Sequence, residues 1–227
     1  MESVSAGAGI NARKGAESLR NLAVGCFASI CRDRLADELL VFSRSRPEVD
    51  IGVHEMQRGA LLPALRNGGL SLAVLPGKPE PGTHSIGLWH DRVLVAMPPD
   101  HRLAASQTVR PADLRDEIFL TSQQQFGGDM HRFLAQRILP VGPGLNSTIL
   151  DLGPPRILDR VAKGDGIALI SGSHEELLGE GVVVRPVDAV GALFPVRAYW
   201  TEAEPGEPLA GLIGSLRARA RPMGFAQ

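Results

Sequence analysis

The chain has 227 residues, of which 44% are hydrophobic and 22% are charged, an ordinary globular composition with room for one large or two small domains. Its net charge of −1 and its aromatic content of 4% argue against a surface that binds nucleic acid through basic patches or stacked rings. No apolar stretch approaches the roughly 20 residues that span a bilayer, and no apolar signal core opens the sequence. These features predict a cytoplasmic protein without a membrane partner.

The first regular segment has the pattern of a strand, a helix and a second strand. An apolar run at 22–27 predicts the first strand, and alternating apolar residues at 49–53 predict the second. Between them, three apolar residues recur at helical spacing: Leu35, Leu39 and Phe42. Such a unit makes parallel strands, and its ligand site usually lies where the first strand meets the helix. Here that corner is Ala28, Ser29 and Ile30, whose backbone N–H groups would suit an anion.

The remaining segments continue this alternation of strands and helices. A helix at 59–67 and a third buried strand at 70–75 complete half of a doubly wound sheet, and a second set of strands and helices follows at 92–190. Within the second set, the helix predicted at 127–138 has an apolar face formed by Met130, Phe133 and Leu134, and a further helix has one formed by Ile157, Leu158 and Val161. The last predicted elements are a strand at 194–200 and a helix with an apolar face formed by Leu209, Leu212, Ile213 and Leu216. We expect this last pair to return to the first subdomain. Two crossings of this kind make a hinge and a cleft, where ligands tend to bind.

The passage between the two sets of elements has its own composition. Residues 77–91 are rich in proline and glycine and contain a short strand at 86–89. A separate strand follows at 92–97 and ends at the two prolines 98–99. The sequence therefore predicts two short strands in this region.

The two cysteines, Cys26 and Cys31, lie five residues apart across the corner between the first strand and helix. The simplest interpretation is a pair of reduced, partly buried thiols. A redox pair or half of a metal site is the alternative, although no second cluster of Cys and His completes such a site. We therefore expect no metal and no other cofactor.

Five short passages, in this order and spacing, resemble the effector-binding domain of LysR-type transcriptional regulators over residues 19–219. They are FSRSRPEV at 42–49, LLPALRNGGLSLAV at 61–74, PPDHRLA at 98–104, ADL and IFL within 112–120, and ILDRVAKGDGIALI at 157–170. In the second passage, Ser71 stands where the family usually has an acidic residue. Together the five passages make a specific signal.

The resemblance implies an α/β fold of two Rossmann-like subdomains joined by two crossover segments, which is the type 2 periplasmic-binding-protein-like architecture. Residues 21–91 and 192–227 would form subdomain I, and residues 92–191 would form subdomain II. Residues 1–20 would be a disordered start followed by the remnant of a linker helix.

The resemblance also implies a function. Family members bind a small-molecule effector in the cleft, so we expect a ligand-sensing domain without catalytic activity. They pair side by side and antiparallel, so we expect a homodimer or higher homo-oligomer that uses the helix at 30–43. The family's winged helix-turn-helix and long linker helix do not fit into residues 1–20. DNA binding is therefore expected only through an N-terminal domain missing from this chain, whether the chain is a fragment or a natural protein.

Candidate ligand contacts follow the ends of the predicted strands. Ser29 suits a ligand contact or a simple helix N-cap. Gln57 and Arg58 follow the second strand, and Arg58 would either clamp a carboxylate or lie in solvent. Further candidates are Pro76, Thr121, Ser122 and Asp151. Pro76 ends the third strand, and Thr121 and Ser122 would face Ser29 across the cleft. Asp151 would be either a ligand contact or a helix cap. A contact through Asp151 would repel anions, whereas the small polar residues as a group favour a small organic acid or a sugar derivative.

Two other classes of protein remain possible from the sequence alone. A solute-binding protein of a transporter has the same fold class but would carry an export signal or a lipid anchor. An enzyme would bring acid, base or cofactor-binding residues together in the cleft. No Gly-x-Ser-x-Gly nucleophile motif and no phosphate-binding loop occurs, and the six histidines are dispersed.

Overall fold

The computed structural model describes residues 21–27, 32–123, 127–139 and 145–220, and for residues 32, 33, 127, 176 and 177 it describes only the backbone. Within these ranges the strands are β1 (Asn21–Phe27), β2 (Asp50–Met56), β3 (Leu72–Pro76), β4 (His84–Met97), β5 (Phe119–Ser122), β6 (Ser147–Leu150), β7 (Ala168–Ser171), β8 (Val183–Pro186) and β9 (Leu193–Trp200). The α-helices are α1 (Arg32–Ser45), α2 (Arg58–Arg66), α3 (Gly127–Ile138), α4 (Pro154–Ala162) and α5 (Leu209–Arg219). Short 3-10 helices lie at Pro111–Leu114 and Gly172–Leu177.

The first half of the sheet has the strand order β2-β1-β3-β9-β4. β1 is parallel to both β2 and β3, which confirms the predicted alternation of three strands and two helices. β9 runs antiparallel between β3 and β4. The last predicted strand therefore does return to the first half of the molecule.

The region between the two halves differs from the prediction, because one continuous strand replaces the two short ones. β4 is 14 residues long. Its pairing with β9 reaches Arg92, its antiparallel pairing with β7 begins at Val93, and a register shift lies between Gly87 and Trp89. β8 also pairs with its second half. The strand therefore links the two halves directly.

The polar residues of β4 explain why the sequence pattern suggested a break there. Asp91 is only 5% exposed. Its carboxylate accepts hydrogen bonds from the hydroxyls of Ser171 at 2.6 Å and Ser173 at 2.8 Å, and from the backbone N–H of Arg92 at 2.8 Å. A buried carboxylate is tolerated when such donors replace its water. We call Asp91, Ser171 and Ser173 the hinge cluster.

The second half adds β5 and β6, which are parallel, and α3 and α4. A parallel bridge between Phe119 and Ile167 brings the start of β5 next to β7. The predicted apolar faces of these helices are buried at Met130, Phe133, Leu134, Ile157, Leu158 and Val161. Each large apolar side chain removed from water in this way contributes about 1.5–3 kcal/mol to folding.

The helices of the first half also bury the faces that the sequence predicts. Leu35, Leu39 and Phe42 of α1 are buried, as are the four apolar positions of α5. Val53, the last residue of the alternating apolar pattern that predicts β2, is not buried, since it is 52% exposed. β2 is an edge strand that pairs only with β1 in the order of the described strands, so its side chains have fewer neighbours. Among the described helices, none is long and apolar enough to cross a membrane.

Candidate functional site

A cleft of about 770 Å³ lies between the two halves of the molecule. One side is the corner where β2 ends and α2 begins, and the other is formed by the end of β5, by β6 and by the first turns of α3. The described residues that line it are Gln57, Thr121, Ser122, Gln123, Gly128, Asp129, Arg132 and Ile149. Ligand sites of α/β folds lie at such carboxyl ends of parallel strands.

Two neighbouring hydroxyl groups at the end of β5 differ in their hydrogen bonding. Thr121 and Ser122 are each 5% exposed. The Ser122 hydroxyl donates to the backbone carbonyl of Leu152 at 2.5 Å. The Thr121 hydroxyl is buried and has no hydrogen-bond partner among the described residues. An unsatisfied buried hydroxyl costs about 1–3 kcal/mol, so Thr121 has the stronger reason to bind a ligand.

The opposite side of the cleft presents the first turn of α2. Gln57 occupies the N-cap position, but its side chain makes no capping hydrogen bond. Instead, Asp129 of α3 reaches across, and its Oδ2 accepts the backbone N–H of Arg58 at 2.9 Å. A carboxylate at this position is favoured by the partial positive charge of the helix N-terminus. This hydrogen bond joins the two halves of the molecule at the cleft.

The Arg58 side chain lies beside the cleft rather than in solvent. Its Nη2 donates to the carbonyl oxygen of Pro76 at 3.4 Å, and its guanidinium carbon lies 5.6 Å from the centre of the Phe133 ring. Arg137 also packs on Phe133, at 5.3 Å, and its Nε donates to the carbonyl of Gly191 at 2.8 Å. Burial lowers the pKa of Arg137, and the nearby positive charge of Arg58 lowers it further. Two cations therefore lie close together between the halves.

His131 lies on α3 between the two charged residues that line the cleft. Burial lowers its pKa from the ordinary value of 6.5 to about 4. Its Nε2 is 3.0 Å from the Ser147 hydroxyl, and its ring centre is 5.9 Å from that of Phe119. At neutral pH the imidazole is uncharged and supports the packing of α3.

The structure brings some of the predicted contacts together. Gln57, Thr121 and Ser122 line one cleft, and Arg58 and Pro76 adjoin it through their hydrogen bond. Asp151 is exposed and is not among the lining residues. Ala28, Ser29 and Ile30 lie outside the described residues, as does Cys31. Cys26 is 4% exposed.

The sequence prediction missed several lining residues, of which Asp129 and Arg132 are charged. They lie three apart at the start of a helix whose bounds were predicted correctly, Gly127–Ile138. An acidic residue in the first turn is common in helices because it suits the dipole of its own helix. The contact of Asp129 with a different helix, α2, leaves no local pattern in the sequence. Within the described residues, no group of three or more His, Cys, Asp or Glu side chains could hold a metal ion.

A sequence model of the family described as "LysR substrate binding domain" matches residues 15–221. The chain is also 28% identical over 151 residues to the HTH-type transcriptional regulator XapR of Escherichia coli strain K12. That match covers 64% of this chain and 50% of XapR, so the chain spans about half the length of this relative.

Two solved structures illustrate the likeness of fold. The effector-binding domain of BenM with its effector benzoate has a TM-score of 0.70 at 21% identity, covering 87% of this chain and 90% of that one. The reduced form of the OxyR regulatory domain from Pseudomonas aeruginosa has a TM-score of 0.68 at 21% identity, covering 88% of this chain and 97% of that one. The predicted architecture of two Rossmann-like subdomains, the type 2 periplasmic-binding-protein-like fold, is confirmed.

Proposed function

The chain belongs to the LysR substrate-binding domain family, and we propose that it binds a small organic effector in the cleft between its subdomains as the sensing part of a transcriptional regulator. The observation that carries the proposal is the lining of the cleft. Gln57 comes from one half of the molecule, whereas Thr121 and Arg132 come from the other. A ligand held by both halves stabilises one arrangement of them over another, which is how binding shifts a conformational equilibrium.

We propose the division into subdomains at residues 91 and 192, so that 21–91 and 192–227 form the first subdomain and 92–191 the second. The strand pairing supports these boundaries. Arg92 is the last residue of β4 that pairs with β9, opposite Leu193, and Val93 is the first that pairs with β7. The hinge cluster holds β4 at this point.

We propose that the protein forms a homodimer or higher homo-oligomer through α1 and the neighbouring strand β2. This surface carries three exposed apolar side chains, Leu40 at 50%, Val41 at 36% and Val53 at 52%. Leu40 and Val53 line one pocket between α1 and β2, and an exposed apolar patch of this kind marks an interaction surface. We propose that DNA recognition belongs to a helix-turn-helix region, as the name of the HTH-type regulator XapR indicates for that protein. XapR is about twice as long as the part of it that matches this chain. A regulator of this kind acts in the cytoplasm.

The proposed role is sensing without catalysis. The described lining residues include no histidine, lysine or cysteine. The two hydrogen bonds at the site, from Ser122 to a backbone carbonyl and from a backbone N–H to Asp129, hold structure rather than activate a nucleophile. The family match also favours a regulator over the solute-binding protein of a transporter. As the effector of BenM is benzoate, we propose an effector of similar size.

Thermal-shift screening against organic acids, aromatic acids, sugars and amino acids tests this function. At a hundredfold excess over Kd, a ligand of the native state adds about 2.7 kcal/mol of stability, which raises Tm by roughly 5–10 °C. We expect one chemical class to give this shift, and Gln57→Ala and Thr121→Ala to reduce it. Thr201→Ala is the matched control, since Thr201 is exposed and outside the cleft lining. Turnover of the compound, or a shift that survives both cleft substitutions, would contradict the proposal.

A further inference from the structure

The N-terminus of α2 is capped by Asp129, a residue from a distant part of the chain. The helix is nine residues long, and its own N-cap residue supplies no side-chain hydrogen bond. The cap comes instead from a residue 71 positions away on the opposite subdomain, at 2.9 Å. The N-terminus of a helix attracts carboxylates because its first N–H groups lack partners within the helix. A carboxylate of the protein thus occupies a position suited to a carboxylate of a ligand.

The same cleft carries a second, independent sign of a ligand. Thr121 lines the cleft and is only 5% exposed, and its buried hydroxyl has no partner among the described residues. Arg132 also lines the cleft and is exposed. The cleft therefore combines one anion position that Asp129 fills with one hydroxyl that remains available.

We propose that Asp129 is an internal competitor that sets the charge of the ligand the cleft accepts. A second carboxylate close to the first turn of α2 would lie next to that of Asp129, and two like charges cannot both be ionised there without a cost. An anionic ligand therefore enters this position only by displacing Asp129. An uncharged ligand meets no such repulsion and also hydrogen-bonds to Thr121. At the first turn of α2 the native protein thus selects uncharged polar ligands over carboxylates.

This inference rests on the proposed function only in taking the cleft as the ligand site. A purely structural role of Asp129 predicts a different result. If the residue were a helix cap and nothing more, its removal would lower the melting temperature and leave ligand preference unchanged. Ligand preference is therefore the decisive readout, and it can be measured without knowing the natural effector.

The experiment compares benzoate with the uncharged benzamide, and propionate with propionamide, at constant ionic strength. Binding is followed by NMR titration of the isotope-labelled full chain, with Arg58 as the reporter of the first turn of α2. The proteins are the native chain, Asp129→Ala, Asp129→Asn and the control Asp116→Asn, which removes an exposed carboxylate outside the cleft lining. Asp129→Asn removes the charge and keeps a hydrogen-bond acceptor, so it serves if the alanine variant fails to fold.

For Asp129→Ala we expect carboxylates to bind on the order of tenfold more tightly than to the native chain, with a saturable shift of the Arg58 amide and little change for the amides. Asp129→Asn should show a smaller gain, and Asp116→Asn none. Equal carboxylate affinity in the native and Asp129 variants would overturn the proposal. So would a gain that does not involve the Arg58 amide. Failure here leaves the screening result for the natural effector unaffected, so the two proposals fail separately.

Discussion

The hinge cluster and the cleft both bury polar groups, but the two regions satisfy them differently. At the hinge, Asp91 accepts three hydrogen bonds from the two serines and from a backbone N–H. At the cleft, the Thr121 hydroxyl has no partner among the described residues. A satisfied polar network fixes structure, whereas an unsatisfied group keeps a binding capacity at a cost in stability. The comparison separates residues that hold the subdomains from those proposed to contact a ligand.

The largest effect is expected at the hinge. Asp91→Ala leaves the hydroxyl of Ser171, which is 0% exposed, without its acceptor. We expect a loss of about 3 kcal/mol in the free energy of unfolding, measured by urea denaturation. Asp116→Ala removes an exposed aspartate and should change stability by less than about 0.5 kcal/mol. Similar values for the two variants would show that the hinge cluster does not hold the fold.

Acid should lower the stability of the folded protein through His131, which lies beside the cleft. Its pKa is about 4 in the folded chain and near 6.5 when unfolded, so between these values the unfolded state binds more protons. Stability therefore falls as pH drops from 6.5 to 4, by about 2 kcal/mol after allowance for partial exposure. His131→Gln should remove this part of the pH dependence in denaturation curves at several pH values. An unchanged pH slope in the variant would assign the acid sensitivity to other groups.

The smallest change in stability is expected at Thr121. Thr121→Val keeps the shape of the side chain and removes the unsatisfied hydroxyl, so stability should stay the same or rise by up to about 1 kcal/mol. Ser122→Ala removes the donor to the carbonyl of Leu152 and should cost about 1 kcal/mol. Thermal denaturation of both variants compares neighbouring hydroxyls in one strand. A clear loss at Thr121 would mean that its hydroxyl has a structural partner.

The sequence predicts most of the fold because local patterns specify it. The apolar faces of α1, α3, α4 and α5 and the parallel arrangement of β1, β2 and β3 follow from the spacing of buried residues. The continuity of β4 does not follow from such local spacing. Its polar residues at 90–92 resemble a break, and the serines that satisfy Asp91 lie 80 and 82 residues further along the chain.

The site is predictable only in part, for a related reason. Gln57, Thr121 and Ser122 follow strand ends, so the topology of an α/β fold points to them. Asp129 acts on a helix of the other subdomain, and neither helix contains a pattern that reveals this contact. The difference between Thr121 and Ser122 depends on a carbonyl at residue 152 that reaches only one of the two hydroxyls. Contacts between distant segments decide which polar residue is free to bind.

The most direct test of the comparison uses the compound that gives the largest increase in melting temperature. Isothermal titration should measure its affinity for the native chain and for Thr121→Val, with urea denaturation of both proteins in parallel. We expect binding to weaken on the order of tenfold while stability is maintained, because the hydroxyl serves the ligand and not the fold. Unchanged affinity together with a loss of stability would contradict this account of the cleft.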